Sequence, residues 1–319
     1  MNTQSQKDQR DIVLVLGDGA IRGGFVAGVV TELVDTRPDV LGRIAFVYGS
    51  SASSGNAIYL AYFGHNHPGE RMWTELLTDT KFINDRSMYD SEPIYDIEYL
   101  VEDIFRKRTT LPDEPATDLG IIFPALVKGS SRVRYFANQN ARKYIRSADD
   151  GDIDCLEEYD VYRLIGAASA APFVYDIPFK IGEDELIDAA TISPSLDALE
   201  IEGKDLKYIY AFCRKNPGIR TDLKYWFNVI VFTLFVLPFR KRRFPLINYI
   251  QYALKPRRMR RAFREALLRE KSGSAVVIYP DQDLGDILDN SPGNLRRNFD
   301  HGAQLVRSRM PDIERLLAD

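Results

Sequence analysis

The sequence predicts an α/β protein, because two apolar runs typical of buried strands are each followed by a turn and then a helical pattern. The first run covers residues 11–16, and the helix after it places Phe25 and Val29 on one face. The second run covers residues 44–48, with a second helical pattern around Ile58. The chain has 319 residues, of which 45% are hydrophobic and 28% charged, so it is long enough for one large α/β domain or two smaller ones.

A serine-rich turn, Gly49-Ser50-Ser51-Ala52-Ser53, separates the second strand from its helix. A sharp turn at this point can expose a serine as a nucleophile, and the N–H groups at the start of the helix then stabilise negative charge beside it. The central position of the turn predicts Ser51 as the nucleophile. Two alternatives stay open: the register 51–55 makes Ser53 the nucleophile, or the serines only cap the helix.

The first turn, Gly17-Asp18-Gly19-Ala20-Ile21-Arg22-Gly23-Gly24, is rich in glycine and opens a helix. Backbone N–H groups in such a loop can face an anion, either the pyrophosphate of a dinucleotide or the oxyanion of an acyl-transfer intermediate. A dinucleotide site needs an acidic residue at the end of the second strand, but Asp35 and Asp39 come before that strand. The sequence therefore favours the oxyanion, with the two turns as halves of one hydrolytic site.

Asp188 is the candidate general base. It follows a short apolar run and precedes Ala189 and Ala190, so another backbone can approach it closely. The alternative is an aspartate that only stabilises a turn. His65 and His67 are poor candidates for the base, because they follow the serine helix and lie more than ~15 Å from its start. We expect both histidines at the surface.

The composition argues against several classes of protein. Cys155 and Cys213 are far apart and the three histidines are scattered, so the sequence predicts no disulfide scaffold, no metal site and no bound cofactor. The same cysteine usage suits a reducing cytoplasm. Residues 1–10 are polar and predict a flexible leader, without the apolar core of a signal peptide.

Charge is distributed unevenly along the chain. Residues 214–271 contain sixteen Lys and Arg against three Asp and Glu, a net charge of +13. Because the whole chain carries −4, the remainder carries −17. Such segregation indicates a surface for an anionic partner.

Two segments of this basic region indicate a membrane surface. Residues 225–239 are the most apolar run, yet shorter than the ~20 residues that a spanning helix needs. Residues 255–271 predict an amphipathic helix with Phe263 and Leu267 on its apolar face. We therefore expect residues 225–271 to dock on an anionic bilayer. The alternative is a buried helix at 225–239, with the arginines paired to the acidic part of the chain. Nucleic acid is disfavoured as a partner, because no recognised binding module is present.

Together these motifs resemble the patatin-like phospholipase family of acyl hydrolases. Residues 17–23 resemble its glycine-rich oxyanion loop with an arginine, and residues 49–53 resemble its nucleophile turn. A small-residue segment, 168–173, followed by Asp188-Ala189-Ala190 resembles the last motif. The sequence has Asp18, Ser53 and Ala189 where the family has glycine.

The resemblance covers residues 11–215 in order and spacing, and residues 275–280 are similar to the bacterial branch with a C-terminal extension. It implies a three-layer α/β/α sandwich with a mostly parallel central sheet. It also implies a catalytic domain at 11–215 and a basic, apolar extension at 216–319 that packs on the same domain.

The resemblance further implies a Ser–Asp dyad, in which Ser51 attacks an ester carbonyl and Asp188 takes its proton without a histidine. The implied oxyanion loop comprises Gly17, Gly19, Ala20, Ile21, Arg22 and Gly23, with the N–H groups of Gly19, Ala20 and Ile21 as donors. A carboxylate at Asp18 suits this site only if it points to solvent.

The function that follows from the resemblance is hydrolysis of phospholipids or other lipid acyl esters, in the cytoplasm or at the membrane periphery. The alternative function is that of a catalytically degenerate relative that binds lipid or a protein partner.

Overall fold

The computed structural model describes residues 10–83, 93–146 and 153–318, apart from 173, 176, 194, 197–198, 203–204, 216–218, 232 and 235–244. The strands are β1 (Ile12–Leu16), β2 (Ile44–Gly49), β3 (Gly120–Val127), β4 (Val133–Ala137), β5 (Ile145–Arg146), β6 (Ile153–Cys155), β7 (Phe179–Ile181), β8 (Asp184–Asp188), β9 (Glu200–Ile201), β10 (Lys207–Ala211) and β11 (Ala275–Ile278).

Most strands belong to one central sheet, in the order β11-β10-β1-β2-β3-β4-β6. Neighbouring strands from β11 to β3 run parallel, as do β4 and β6. Antiparallel pairing occurs where β3 meets β4 and β8, and where β8 meets β7. The mostly parallel central sheet is therefore confirmed.

Helices cover both faces of this sheet. They are α1 (Gly23–Thr36), α2 (Pro38–Arg43), α3 (Ser53–Phe63), α4 (Gly69–Thr74), α5 (Ile97–Tyr99, continued as a π-helix over Leu100–Arg108), α6 (Val161–Ser169), α7 (Ile219–Val231), α8 (Leu246–Lys271) and α9 (Pro292–Ala318). Helices α1, α3, α6 and α9 contribute to the apolar core on one face, and α7 and α8 to the core on the other.

Strand β1 shows how the sequence specifies this arrangement. Because side chains alternate along a strand, Ile12, Leu14 and Leu16 enter the first core while Val13 and Val15 enter the second. All five side chains are fully buried, as expected for a central parallel strand that is covered on both faces. The three-layer α/β/α architecture is thereby confirmed.

The C-terminal part of the chain is built onto the same layers. Strand β11 pairs with β10 at one end of the sheet, and α9 packs along α1. The two helices approach so closely that a Cβ added to Gly28 would lie 2.0 Å from the carbonyl oxygen of Phe299. A Cβ added to Gly302 would lie 2.1 Å from the carbonyl oxygen of Phe25. Glycine at both positions allows backbone-to-backbone contact.

Helix α7 is buried on one face only. Tyr225 and Val229 are buried, whereas Phe227 and Ile230 are 65% and 52% exposed. The interpretation of residues 225–239 as a buried helix is therefore wrong for the described part of that run. Residues 232 and 235–239 and the basic residues 240–243 lie outside the described residues. Across the described parts of the chain, every helix is too short or too polar to cross a bilayer.

Candidate active site

Two loops meet at the carboxyl ends of β1 and β2. Leu16, the last residue of β1, is in register with Gly49, the last residue of β2. The backbone N–H of Ser50 donates to the carbonyl oxygen of Leu16 at 3.0 Å. The glycine-rich loop after β1 and the serine turn after β2 therefore lie side by side, at the edge where open parallel sheets bind their ligands.

Ser51 lies at the strained apex of its turn. Its φ is 56°, in the left-handed region that residues with a side chain rarely adopt. A Cβ on Gly49 would lie 2.5 Å from the carbonyl oxygen of Ser53, so the turn needs glycine at position 49 to close this tightly. Ser51 is 6% exposed, and its Oγ donates a hydrogen bond to Oδ2 of Asp188 at 2.7 Å. This is the geometry of a strand–turn–helix elbow.

The hydroxyl groups of Ser53 and Ser54 bind backbone carbonyls. Ser53 Oγ donates to the carbonyl oxygen of Gly17, and Ser54 Oγ to that of Ser51, both at 2.7 Å. Helix α3 has Ala52 as its N-cap residue and receives no side-chain capping bond from the described residues. The interpretation of the serines as helix caps is therefore wrong, and Ser53 faces the first loop instead of Asp188.

Asp188 ends β8, opposite Ala125 of β3, and is 2% exposed. Its Oδ1 accepts the backbone N–H of Ala190 at 2.7 Å, and its Oδ2 accepts the Ser51 hydroxyl. One oxygen thus stabilises the turn Ala189–Thr191, while the other faces Ser51.

Burial raises the pKa of Asp188 to about 6, and the charge of Lys255 and the hydrogen bonds from Ala190 and Ser51 limit that rise. A carboxyl group with this pKa is ionised at neutral pH and is a stronger base than an exposed aspartate.

Three of the six predicted oxyanion residues use their N–H groups inside the protein. The N–H of Gly17 donates to the carbonyl of Ala211 at 2.8 Å, and that of Arg22 to the carbonyl of Gly19 at 3.0 Å. The N–H of Gly23 donates to the carbonyl oxygens of Ala20 and Ile21, in the 3₁₀ turn that precedes it. The guanidinium of Arg22 donates from Nε to the carbonyl of Gly285 at 2.9 Å, which fixes the loop to the C-terminal region.

Gly19, Ala20 and Ile21 are different, since no hydrogen bond found among the described residues uses their backbone N–H groups. The same holds for the N–H of Ala52, which sequence analysis did not single out. Ala20 has a φ of 50°, and a Cβ on Gly19 would lie 2.5 Å from Sγ of Cys213. This tightly held loop presents donors next to the elbow, as acyl-transfer sites do.

Asp18 does not point to solvent. It is buried, and its carboxylate forms an ion pair with the buried ammonium of Lys255 from α8. Burial alone would raise the pKa of Asp18, but the charges of Lys255 and Arg214 lower it, so the pair stays ionised. Sequence analysis missed Lys255, although it precedes Met259 and Phe263 by one and two helical turns and therefore shares their face.

The hydrogen bonds found for the side chains of Ser51 and Asp188 among the described residues involve no histidine. His65 is exposed as predicted, but His67 is half-buried and its Nδ1 accepts the N–H of Gly69 at 3.3 Å, so the surface prediction is wrong for His67. Burial lowers the pKa of His67 to about 4. The described residues contain no group of His, Cys, Asp and Glu arranged to hold a metal ion.

An apolar cavity opens beside Ser51 and contains about 540 Å³ of unfilled space, part of it open to solvent. Its walls come from the two loops, from α4 and α5, and from α6 and the segment after it. The lining residues are Ala20, Ile21, Ser51, Ala52, Trp73, Leu77, Phe82, Tyr95, Ile97, Leu100, Phe105, Ile165, Ser169, Ala171 and Val174. An apolar group can therefore lie directly against the Ser51 hydroxyl.

Comparison with curated proteins gives no significant match. Among solved structures, VipD from Legionella pneumophila is similar over 94% of this chain and 67% of its own, with a TM-score of 0.42 and 10% sequence identity. The type III effector protein ExoU is similar over 96% of this chain and 53% of its own, with a TM-score of 0.37 and 13% identity. The family model described as patatin-like phospholipase matches residues 14–198, more than half of the chain. The chain therefore belongs to the patatin-like phospholipase family.

Proposed function

We propose that the protein is a lipid acyl hydrolase in which Ser51 is the nucleophile and Asp188 the general base. The observation that carries the proposal is the 2.7 Å hydrogen bond between these side chains, made by a serine with a φ of 56° at an elbow. Family membership indicates a lipid hydrolase, and the apolar cavity beside Ser51 supports a fatty acyl chain as the group that is bound.

In the first half-reaction, Ser51 Oγ attacks the ester carbonyl carbon and its proton passes to Asp188. The N–H groups of Gly19, Ala20 and Ile21 stabilise the tetrahedral oxyanion, each donor being worth about 3 kcal/mol. The ester C–O bond then breaks, and the alcohol leaves with the proton from Asp188. In the second half-reaction, water attacks the acyl-serine and gives its proton to Asp188, the C–O bond to Ser51 breaks, and Ser51 regains the proton as the fatty acid leaves.

Labelling with a fluorophosphonate probe tests this function, because the probe reacts covalently with activated serines. We expect wild type to be labelled and to hydrolyse a phospholipid, and Ser51→Ala to do neither. Ser53→Ala is the matched control, since it removes a neighbouring hydroxyl that binds the carbonyl of Gly17. Undiminished labelling of Ser51→Ala would refute the role of Ser51. A folded wild type that is neither labelled nor active would favour the alternative, a protein that only binds lipid or a partner.

We also propose that the protein docks on an anionic phospholipid bilayer through an apolar stripe, defined as Leu223, Phe227, Ile230, Leu234, Leu246, Ile247 and Ile250. These side chains are 38–68% exposed and lie on or beside α7 and at the start of α8. The segment between the two helices contains Arg240-Lys241-Arg242-Arg243 in the sequence. Apolar side chains beside clustered cations favour an anionic bilayer, by about 1 kcal/mol per cation near the surface.

The docking proposal predicts that the protein sediments with vesicles containing phosphatidylserine more strongly than with phosphatidylcholine vesicles, and that added salt weakens this binding. Phe227→Ser is expected to weaken it by at least about tenfold, since burial of a Phe side chain is worth roughly 1.5–3 kcal/mol. Leu268→Ser is the control, because Leu268 is exposed but lies about 27 Å beyond Ile250 along α8. Equal binding to both vesicle types would rule out the anionic surface.

A further inference from the structure

We propose that Lys255, supplied by helix α8, is a positioning residue for the dyad: it holds the oxyanion loop through Asp18 and supports the negative charge of Asp188. The inference rests on the proposed function for its kinetic consequences. Its structural half, the anchoring of the loop, can be measured without any activity.

The first argument is the contact itself. Lys255 and Asp18 form an ion pair in which both side chains are more than nine-tenths buried. Asp18 directly precedes Gly19, the first of the three residues with uncommitted N–H groups. Removing one partner of a buried ion pair leaves an uncompensated charge, which must move toward water or pick up a new partner. The loop would therefore shift if Lys255 were replaced by an apolar residue.

The second argument is the charge balance around Asp188. Lys255 from α8 attracts it, and Asp18 from the first loop repels it. Arg214 follows β10, faces Asp18 and donates to the hydroxyl of Tyr225 on α7 at 2.5 Å. Burial alone would lower the pKa of Lys255, but the charge of Asp18 raises it, so Lys255 stays protonated. Without Lys255, Asp188 would face the like charge of Asp18 with no ammonium beside it.

The third argument comes from the sequence. This chain has Asp18 where the family that it resembles has glycine. Lys255 belongs to the segment that follows the matched residues 14–198. A buried carboxylate next to the oxyanion donors repels the negative charge that develops on the oxyanion, unless a cation neutralises the carboxylate. Asp18 therefore needs Lys255 to neutralise its charge, and the ion pair joins α8 to the glycine-rich loop after β1.

The kinetic test compares the pH dependence of kcat/KM for Lys255→Met, Lys255→Arg and wild type on a phospholipid. Lys255→Met is expected to lower kcat/KM at pH 7 by at least about tenfold and to move the acid limb to higher pH, because loss of the ammonium raises the pKa of Asp188. Lys255→Arg keeps the charge and is expected to keep the acid limb. The double variant Asp18→Asn/Lys255→Met removes both charges and is expected to bring the acid limb back toward wild type. An unmoved acid limb in folded Lys255→Met would overturn the proposal.

The structural test is hydrogen–deuterium exchange of the peptide spanning residues 17–23. We expect about tenfold faster exchange in Lys255→Met than in wild type, and no change in Lys224→Met, which removes an exposed lysine of α7. If Lys255→Met does not fold, the double variant Asp18→Asn/Lys255→Met, which leaves no unpaired buried charge, is measured in its place. It is still expected to show the faster exchange, because the ion pair no longer joins the loop to α8. Unchanged exchange in whichever variant folds would overturn the loop-anchoring role. An inactive wild type would count against the proposed function but leave this measurement decisive for Lys255.

Discussion

Asp188→Asn is expected to lower kcat/KM for a lipid ester by about 10²–10⁴-fold, the usual contribution of a general base. The amide keeps the size of the carboxyl group and can still accept the N–H of Ala190, so the turn after β8 is retained. It cannot take the Ser51 proton, and Ser51 then remains an unactivated alcohol. In wild type, the pKa of about 6 for Asp188 predicts that kcat/KM falls below that pH as the base becomes protonated.

The same substitution is expected to stabilise the fold at neutral pH. Burial raises the pKa of Asp188 from 3.8 to about 6, so the folded state binds this proton more tightly than the unfolded chain does. Ionisation of Asp188 therefore lowers the free energy of unfolding as the pH rises from about 4 to above 6. Because Asn does not ionise, the stability of Asp188→Asn relative to wild type should increase across that window by about 2–3 kcal/mol.

Urea unfolding at pH 4.5 and pH 7.5, together with phospholipid hydrolysis, checks both effects. Glu185→Gln is the matched control, since Glu185 lies on the same strand and pairs with Lys128 near the surface. Both activity and relative stability of this control are expected to stay close to wild type, because surface ion pairs contribute little. An Asp188→Asn variant with wild-type turnover would remove Asp188 from the mechanism, and a pH-independent stability difference would contradict the raised pKa.

Gly28→Ala is expected to lower the free energy of unfolding by about 3 kcal/mol or more, the upper range for overpacking of a core. The added methyl group would lie 2.0 Å from the carbonyl oxygen of Phe299, and backbone atoms cannot rotate away as a side chain can. Helices α1 and α9 would have to separate. Because α1 starts at Gly23, the last residue of the proposed oxyanion loop, we also expect weaker fluorophosphonate labelling.

Gly42→Ala is the control for this substitution. Gly42 lies in α2 with no atom within 4 Å of an added Cβ, so alanine there is expected to be neutral or to stabilise the helix slightly. Urea unfolding of both variants gives the comparison. If Gly28→Ala unfolded at the same urea concentration as Gly42→Ala, the close contact of α1 with α9 would not be a constraint on the fold.

The sequence by itself determined the strand–turn–helix units and the two loops, and it predicted Ser51 and Asp188 as the candidate nucleophile and base. These are local properties: apolar runs specify buried strands, and small residues specify sharp turns. The parallel order of β1 and β2 also follows, because two such units in succession bring their turns to one edge of a sheet.

Only the tertiary structure decided which groups meet there. Ser51 and Asp188 are 137 residues apart, and their 2.7 Å contact depends on how β8 pairs with β3. Whether an N–H of the loop is free depends on distant carbonyls such as that of Ala211, which no local pattern reports. The burial of Asp18 required a cation from α8, more than two hundred residues away, because a charge leaves water only when an opposite charge is brought to it.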